Sequence, residues 1–246
     1  MAEFAHRLRS ALEILQPSAL ALRPFRCPLC GPCMLIRLSR DGIGVRCWRC
    51  GASAATLSLA AVLRSERPDF SRRRVYEISS RGALFQFLRR EVEDFTFSEY
   101  YDDVPPGEMR GGVLCQDVQK LTFENGRFEI CTSTEVFEHV PDDGRGFAEI
   151  RRLMGDGGVF LFTVPLGSAE ATVERAVSEG GAIRYLLPRA YHDDRICGRG
   201  RVLVFRDYGR DIIKRLHMAG FSSARVERSF EQAFLGSGYP VAVAES

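Results

Sequence analysis

The stretch Phe128 to Pro165, FEICTSTEVFEHVPDDGRGFAEIRRLMGDGGVFLFTVP, decides the fold. Phe128 to Cys131 reads as a short strand that runs into a polar edge, Thr132-Ser133-Thr134. Glu135 to His139 then makes a turn, closed by Pro141. From Asp143 onward, Phe147, Ile150, Leu153 and Met154 keep the spacing of a helix with one buried face. Gly155, Gly157 and Gly158 stop that helix. Val159 to Val164 is unbroken apolar sequence, rich in aromatic and β-branched types, and reads as a strand buried on both faces. Strand, turn, helix and buried strand make a βαβ unit of a parallel sheet. Ligands of such sheets sit beyond the carboxyl ends of the strands, where Thr132 to His139 lies.

Working outward, Val75 to Ile78 reads as the first strand of the same sheet, Ser79 to Gly82 as its turn and Ala83 to Arg90 as its helix. Phe95 to Glu99 alternates as a second strand with an acidic end, and Gly112 to Val118 follows as a third. Beyond Pro165 a long insert, residues 166–201, interrupts the sheet, with Ala169 to Ser178 expected as a helix. Asp211 to Ala219 reads as a helix ended by Gly220. Ser223 to Phe230 and Tyr239 to Ala244 read as a closing antiparallel pair. The expected division is an amino-terminal helix and ribbon over residues 1–64, a linker over 65–74 and the α/β domain over 75–246.

The first 64 residues carry a different signal. Cys27-Pro28-Leu29-Cys30-Gly31 and Cys47-Trp48-Arg49-Cys50-Gly51 are two Cys-x-x-Cys-Gly knuckles, with sixteen residues between Cys30 and Cys47. This is the pattern of a four-thiolate structural zinc site held by Cys27, Cys30, Cys47 and Cys50. Each knuckle presents two sulfurs to one ion, and metal binding supplies folding energy that so small a core lacks. Cys33 reads as a bystander that can substitute as a ligand. Short strands at Met34 to Leu38 and Gly44 to Arg46 flank Asp41-Gly42, a hairpin signal.

The totals bound the rest. The chain has 246 residues, 45% apolar and 27% charged, with a net charge of +2. That balance suits a soluble globular protein and makes no case by itself for a nucleic-acid-binding surface. No apolar run approaches the roughly 18 residues that span a bilayer, and MAEFAHRLRSALEILQ has helical spacing but no signal-peptide block. A cytoplasmic placement is expected, with the eight cysteines serving as metal ligands or buried thiols sooner than disulfides.

Over residues 73 to 244 the chain resembles the class I S-adenosylmethionine-dependent methyltransferases, in which strand, Glu-His-Val/Leu-Pro turn, helix, Gly-Gly turn and strand recur at this spacing. The resemblance implies a Rossmann-like, mostly parallel α/β sheet of seven strands with helices on both faces. It implies that Glu77, Ser79, Arg81 and Gly82 meet the methionine half of the cofactor and that Glu99 takes the ribose hydroxyls. Asp117 then accepts from the adenine amine, with Val118 backbone beside it, and Thr134 lines the rim. The sequence departs from the family at Ser79 and Arg81, where glycine is usual.

Glu135, Glu138 and His139 stand on one face of a helical turn. Two carboxylates and an imidazole there can hold a divalent ion such as Mg2+. The string resembles that of metal-assisted O-methyltransferases acting on catechol rings or RNA 3′-terminal riboses. In that reading His192 from the insert completes the shell; in the other, His139 orients substrate without metal. Methyl transfer to a small-molecule acceptor, preferably at oxygen, is the expected activity. An RNA methyltransferase docking through the ribbon, and a catalytically silent scaffold binding a protein partner, are the alternatives.

Overall fold

The computed structural model describes residues 15–40, 44–194, 200–228 and 239–246. The expected amino-terminal helix and the Asp41-Gly42 turn lie outside the described residues. The ribbon is a three-stranded antiparallel sheet of β1 (Ala21–Cys27), β2 (Gly31–Arg37) and β3 (Val45–Cys47). β1, which the sequence did not announce, pairs with β2 along its whole length. Helix α1 (Ala54–Glu66) follows, with the Ser53 hydroxyl accepting from Thr56 N at its N-cap.

The large sheet then begins with β4 (Arg74–Glu77), α2 (Gly82–Glu91), β5 (Asp94–Glu99), β6 (Met109–Arg110) and β7 (Val113–Cys115). It continues with β8 (Phe128–Thr134), α3 (Asp143–Leu153) and β9 (Met154–Thr163). The insert runs on past its expected end at Arg201 and contributes β10 (Val173–Glu174), β11 (Ala176–Glu179), β12 (Ala182–Tyr185), β13 (Tyr191–Asp194), β14 (Gly200–Leu203) and β15 (Arg206–Asp207). Helix α4 (Ile212–Met218), β16 (Ser223–Glu227) and β17 (Val241–Glu245) close the chain.

Eight strands share the sheet in the order β16-β17-β9-β8-β4-β5-β7-β6. Seven were expected; the eighth is the two-residue β6, which pairs antiparallel with β7 at the edge. β4, β5, β7, β8 and β9 run parallel, and β17 closes antiparallel on β9. The chain leaves β4 toward β5 and returns on its other side as β8, so the order reverses between β4 and β8.

Period-two alternation builds both layers. Val75, Ile130, Val159, Leu161, Val241 and Val243 face one cluster, with Leu57 and Leu63 of α1 and Phe87 of α2. Their neighbours Tyr76, Cys131, Phe160, Phe162 and Ala242 face the other, with Phe147 and Ile150 of α3 and Leu216 of α4. α1 is buried on most of its circumference because the ribbon residues Leu29, Leu35 and Val45 join the same cluster. Phe70 is buried against Phe87, with ring centroids 5.5 Å apart. Arg73 and Arg74 are tied to Glu129. The end of the expected linker is therefore fastened to β8.

The helix expected at Ala169 to Ser178 is not formed. Its residues enter β10 and the β11–β12 hairpin instead. Gly180 and Gly181, with φ of +59° and +84°, make the two-residue turn that hairpin needs. Helical spacing had no core face to dock there, and strand pairing satisfied the backbone instead.

Candidate active site

β8 and the turn after it deliver the first side chains. Glu135 has φ +55°, the only positive value at a non-glycine among the described residues. A left-handed Glu costs on the order of 1–2 kcal/mol, so the fold holds strain at this position. Its N–H is fixed by the Thr163 carbonyl at 2.9 Å. The bend redirects the chain into a 3-10 turn, Phe137–His139, that buries Glu138 to 1% exposure.

The insert grips this turn from the far side. Phe205 N donates to Glu138 O at 2.8 Å. Arg206, 3% exposed, donates to the carbonyls of Phe137 at 3.1 Å and Pro141 at 2.7 Å, and to that of Val140. Its guanidinium is balanced by Glu174 at 3.1 Å. Arg215 bridges the same Glu174 to Asp143.

His139 donates from Nδ1 to the Leu203 carbonyl at 2.8 Å. A carbonyl only accepts, so Nδ1 carries a proton and Nε2 is the nitrogen left to face the site. That nitrogen faces Glu138 Oε1 at 3.7 Å, and His192 Nδ1 reaches the same oxygen at 3.6 Å. The ligand atoms of Glu138, His139 and His192 all lie within 4.8 Å of one another and can hold a metal ion. Among the described residues, neither Glu138 oxygen has a hydrogen-bond donor, and Ser133 Oγ, Thr134 Oγ1, Thr163 Oγ1 and Glu135 Oε1 are likewise buried without a partner. Buried carboxylate oxygens flanked by imidazoles and lacking donors fit a hard divalent cation. The Glu138 carboxylate raises the pKa of His192 above its ordinary value, with burial opposing. Burial, and after it the charge of Glu138, pushes Glu135 up to about 7. Tyr239 donates to Glu135 Oε2 at 2.7 Å. No motif marks Tyr239, and sequence reasoning missed it, as it missed Leu203 and Arg206.

The residues expected to meet a cofactor are distributed along the same rim. Glu77 and Glu99 end β4 and β5, Thr134 ends β8, and Asp117 stands two residues past β7. Glu77 is buried, accepts from Thr132 Oγ1 and is pushed up to about 8 by burial. Glu99 accepts from Ser80 Oγ at 3.0 Å and thereby shapes the loop. Ser79 Oγ donates to the Arg81 carbonyl at 3.3 Å. Arg81 is exposed at the N-cap of α2. Gly82 has φ +86°, with no atom within 4 Å of where a Cβ would stand. Asp117 accepts from Gln119 N at 2.9 Å, while the Val118 side chain is buried in the α3 layer.

In the ribbon, the sulfurs of Cys27, Cys30, Cys33 and Cys47 lie within 4.8 Å of one another. Cys30–Cys47 is 3.6 Å, Cys33–Cys47 3.4 Å and Cys27–Cys50 3.8 Å. Zinc–thiolate bonds of about 2.3 Å place tetrahedral sulfurs about 3.8 Å apart, so the nest fits zinc. Cys33, read as a bystander, stands inside it, whereas Cys50, read as a ligand, lies outside the four-sulfur set and stands beside Cys27.

A family model described as a methyltransferase domain matches residues 50–162. Over that stretch the chain is similar to a methyltransferase domain. The match takes in α1, consistent with that helix lying in the sheet's covering layer. The sheet resembles that of an S-adenosylmethionine-dependent methyltransferase from Mesorhizobium loti, with a TM-score of 0.51 at 13% identity. The alignment covers 77% of this chain and 98% of that one, and speaks to the fold. Ubiquinone biosynthesis O-methyltransferase of Coxiella burnetii is 34% identical over 79 residues, 32% of this chain and 33% of that protein. Malonyl-[acyl-carrier protein] O-methyltransferase of Geobacter sulfurreducens is 29% identical over 115 residues, 46% of this chain and 39% of that protein. The chain thus spans between a third and two fifths of the length of these curated relatives. Among the described residues, no helix is long and apolar enough to cross a membrane.

Proposed function

We propose that this chain transfers a methyl group from S-adenosylmethionine to an oxygen of a small-molecule acceptor, with a divalent ion held at the Glu138 turn and structural zinc in the ribbon. The observation that carries the reading is the approach of His139 Nε2 and His192 Nδ1 to one buried oxygen of Glu138, at 3.7 and 3.6 Å. It occurs at the carboxyl rim of the large sheet, where ligands of such sheets bind.

Methyl transfer from a sulfonium is an in-line displacement, so alignment and a deprotonated acceptor supply most of the rate. A bound divalent ion such as Mg2+ would lower the pKa of the acceptor hydroxyl and fix its oxygen. The chain's own part is positioning. Leu203 holds the His139 ring in one orientation, Tyr239 holds Glu135, and Arg206 holds the backbone of the turn. Glu99 takes the ribose hydroxyls, since one carboxylate can accept from both. Asp117 and the Val118 backbone meet the adenine, Thr134 lines the rim, and Glu77 stiffens the switch point through Thr132. Ser79, Arg81 and Gly82 receive the methionine end, where the start of α2 and the guanidinium favour a carboxylate. The O-methyltransferase names of both curated relatives support oxygen as the acceptor atom.

Calorimetry with S-adenosylmethionine and its demethylated product tests the cofactor site. Saturable heat is expected; its absence, with no thermal shift, assigns the chain to a silent scaffold. Turnover of catechol-type acceptors with and without chelator then tests the ion.

A further inference from the structure

The net charge of +2 conceals an uneven distribution. Residues 15–53, which build the ribbon, contain Arg23, Arg26, Arg37, Arg40, Arg46 and Arg49 against a single acid, Asp41. Six positive charges and one negative give this module +5, so the remainder of the chain sums to −3. Metal-bound thiolates reduce the local excess but lie inside the knuckles, whereas Arg26 and Arg49 are exposed.

Trp48, the only tryptophan in the chain, is 70% exposed at the tip of the second knuckle. Its backbone is pinned by a hydrogen bond from its N–H to the Met34 carbonyl at 2.9 Å. The indole adds nothing to the core, yet it stands on a rigid turn. Beside that turn a cleft of about 640 Å³ opens between the ribbon and the ends of α1 and α2. Arg26, Arg49, Arg64 and Arg90 line it; Glu91, paired with Arg90, is its one acid.

Three of these guanidiniums are held in place by the first knuckle. Arg64 donates to Pro28 O at 2.7 Å, Arg90 to Leu29 O at 3.0 Å and Arg49 to Cys30 O at 3.2 Å. Arg64 also stacks over Phe87, 5.0 Å from the ring centroid. A guanidinium has five N–H donors, so one bond to a carbonyl orients the fork and leaves others for a ligand.

We propose that this face docks single-stranded nucleic acid, with backbone phosphates in the arginine cleft and a base stacked on Trp48. Arginines meet phosphate bidentately, and an exposed indole beside them is a stacking platform. An acidic peptide would use the charge but has no use for the indole. The docking face is separate from the methyl-acceptor site. α2 begins at the Ser79–Gly82 loop on the cofactor rim and ends at Arg90 in the cleft, about 15 Å away for a ten-residue helix. The inference does not rest on the reaction proposed above.

Trp48 supplies its own reporter. Titrating the full-length, zinc-loaded protein with a short oligouridine should quench its fluorescence saturably. Single-stranded contacts weaken with a log–log salt slope of about −0.7 per phosphate neutralised, so four arginines predict a slope near −3. That corresponds to roughly a 50-fold loss of affinity between about 50 and 200 mM salt. Arg26→Glu should flatten the slope to about −2 or less and weaken binding, with zinc content and melting temperature unchanged. Trp48→Ala, followed by polarisation of a labelled oligouridine, should weaken binding at every salt concentration. Absence of quenching and of polarisation change at low salt overturns the proposal. So does polyglutamate that binds as tightly as oligouridine, which would assign the face to an acidic protein. Loss of zinc in Arg26→Glu would disqualify that variant, and Trp48→Ala would then decide.

Discussion

The Nδ1 of His139 lies 2.8 Å from the carbonyl oxygen of Leu203, a residue 64 positions further along the chain. This contact joins the Glu138 turn to the strand β14 and presents Nε2 toward Glu138. A histidine so oriented by a backbone carbonyl is prepared to ligate through its other nitrogen.

A divalent ion should therefore stabilise the protein. Adding Mn2+ or Mg2+ to chelator-treated protein should raise the melting temperature in a saturable way, because an ion that binds only the folded chain shifts the equilibrium toward it. His192→Ala and Glu138→Gln should abolish the shift. An unchanged shift in both variants would place the ion elsewhere.

Arg206 is the buried brace of the turn, and its removal should be costly. Arg206→Met leaves Glu174 and Asp143 with one cation fewer and takes the guanidinium donors from the carbonyls of Phe137, Val140 and Pro141, of which that of Phe137 still accepts from Tyr208 Oη at 3.3 Å. Breaking such a buried pair costs about 3–5 kcal/mol. Chemical denaturation should register that loss, and Arg206→Met combined with Glu174→Gln should recover part of it.

Glu77 makes stability depend on pH. Burial pushes its carboxyl up to about 8, so near neutrality the folded chain keeps a proton that the unfolded chain has released. The stabilisation is intact below the ordinary carboxylate range and is lost as pH rises toward 8. Glu77→Gln carries a neutral group throughout. Thermal melts should place it level with the parent near pH 5 and above it near pH 8.

The sulfur nest should tolerate the loss of some thiols and not others. The sulfurs of Cys27, Cys30, Cys33 and Cys47 lie within 4.8 Å of one another, and Cys50 stands outside that set, 3.8 Å from Cys27. Cys33→Ser and Cys50→Ser should each retain zinc by using the other sulfur, while Cys27→Ser or Cys47→Ser should lose it. Zinc content by atomic emission distinguishes these outcomes; a metal-free Cys33→Ser protein would make Cys33 obligatory.

Local pattern alone determined much of this protein. The unbroken apolar run Val159 to Val164, the 3.6-residue period from Phe147 to Leu153 and the two cysteine knuckles are each written within a few turns of chain; the helix ends at Leu153, and the strand starts earlier than expected, at Met154, taking in the glycines read as its turn. Sequence alone grouped Glu135 with Glu138, His139 and His192; the fold brings the last three within 4.8 Å of one another, whereas Glu135 sits at φ +55° ahead of the helical turn and is held by Tyr239. Tertiary structure decided what no short window contains. Tyr239 reaches Glu135 across 104 positions, Arg206 reaches the Phe137 carbonyl across 69, and Cys33 enters the sulfur nest because β2 pairs with both β1 and β3. Residues 169–178 became strands because the insert offers no core face for a helix to bury, and pairing partners supplied by the chain downstream satisfied their backbone. Periodicity records which side of an element faces a core; which distant group completes a polar contact depends on how the assembled layers bring chain ends together.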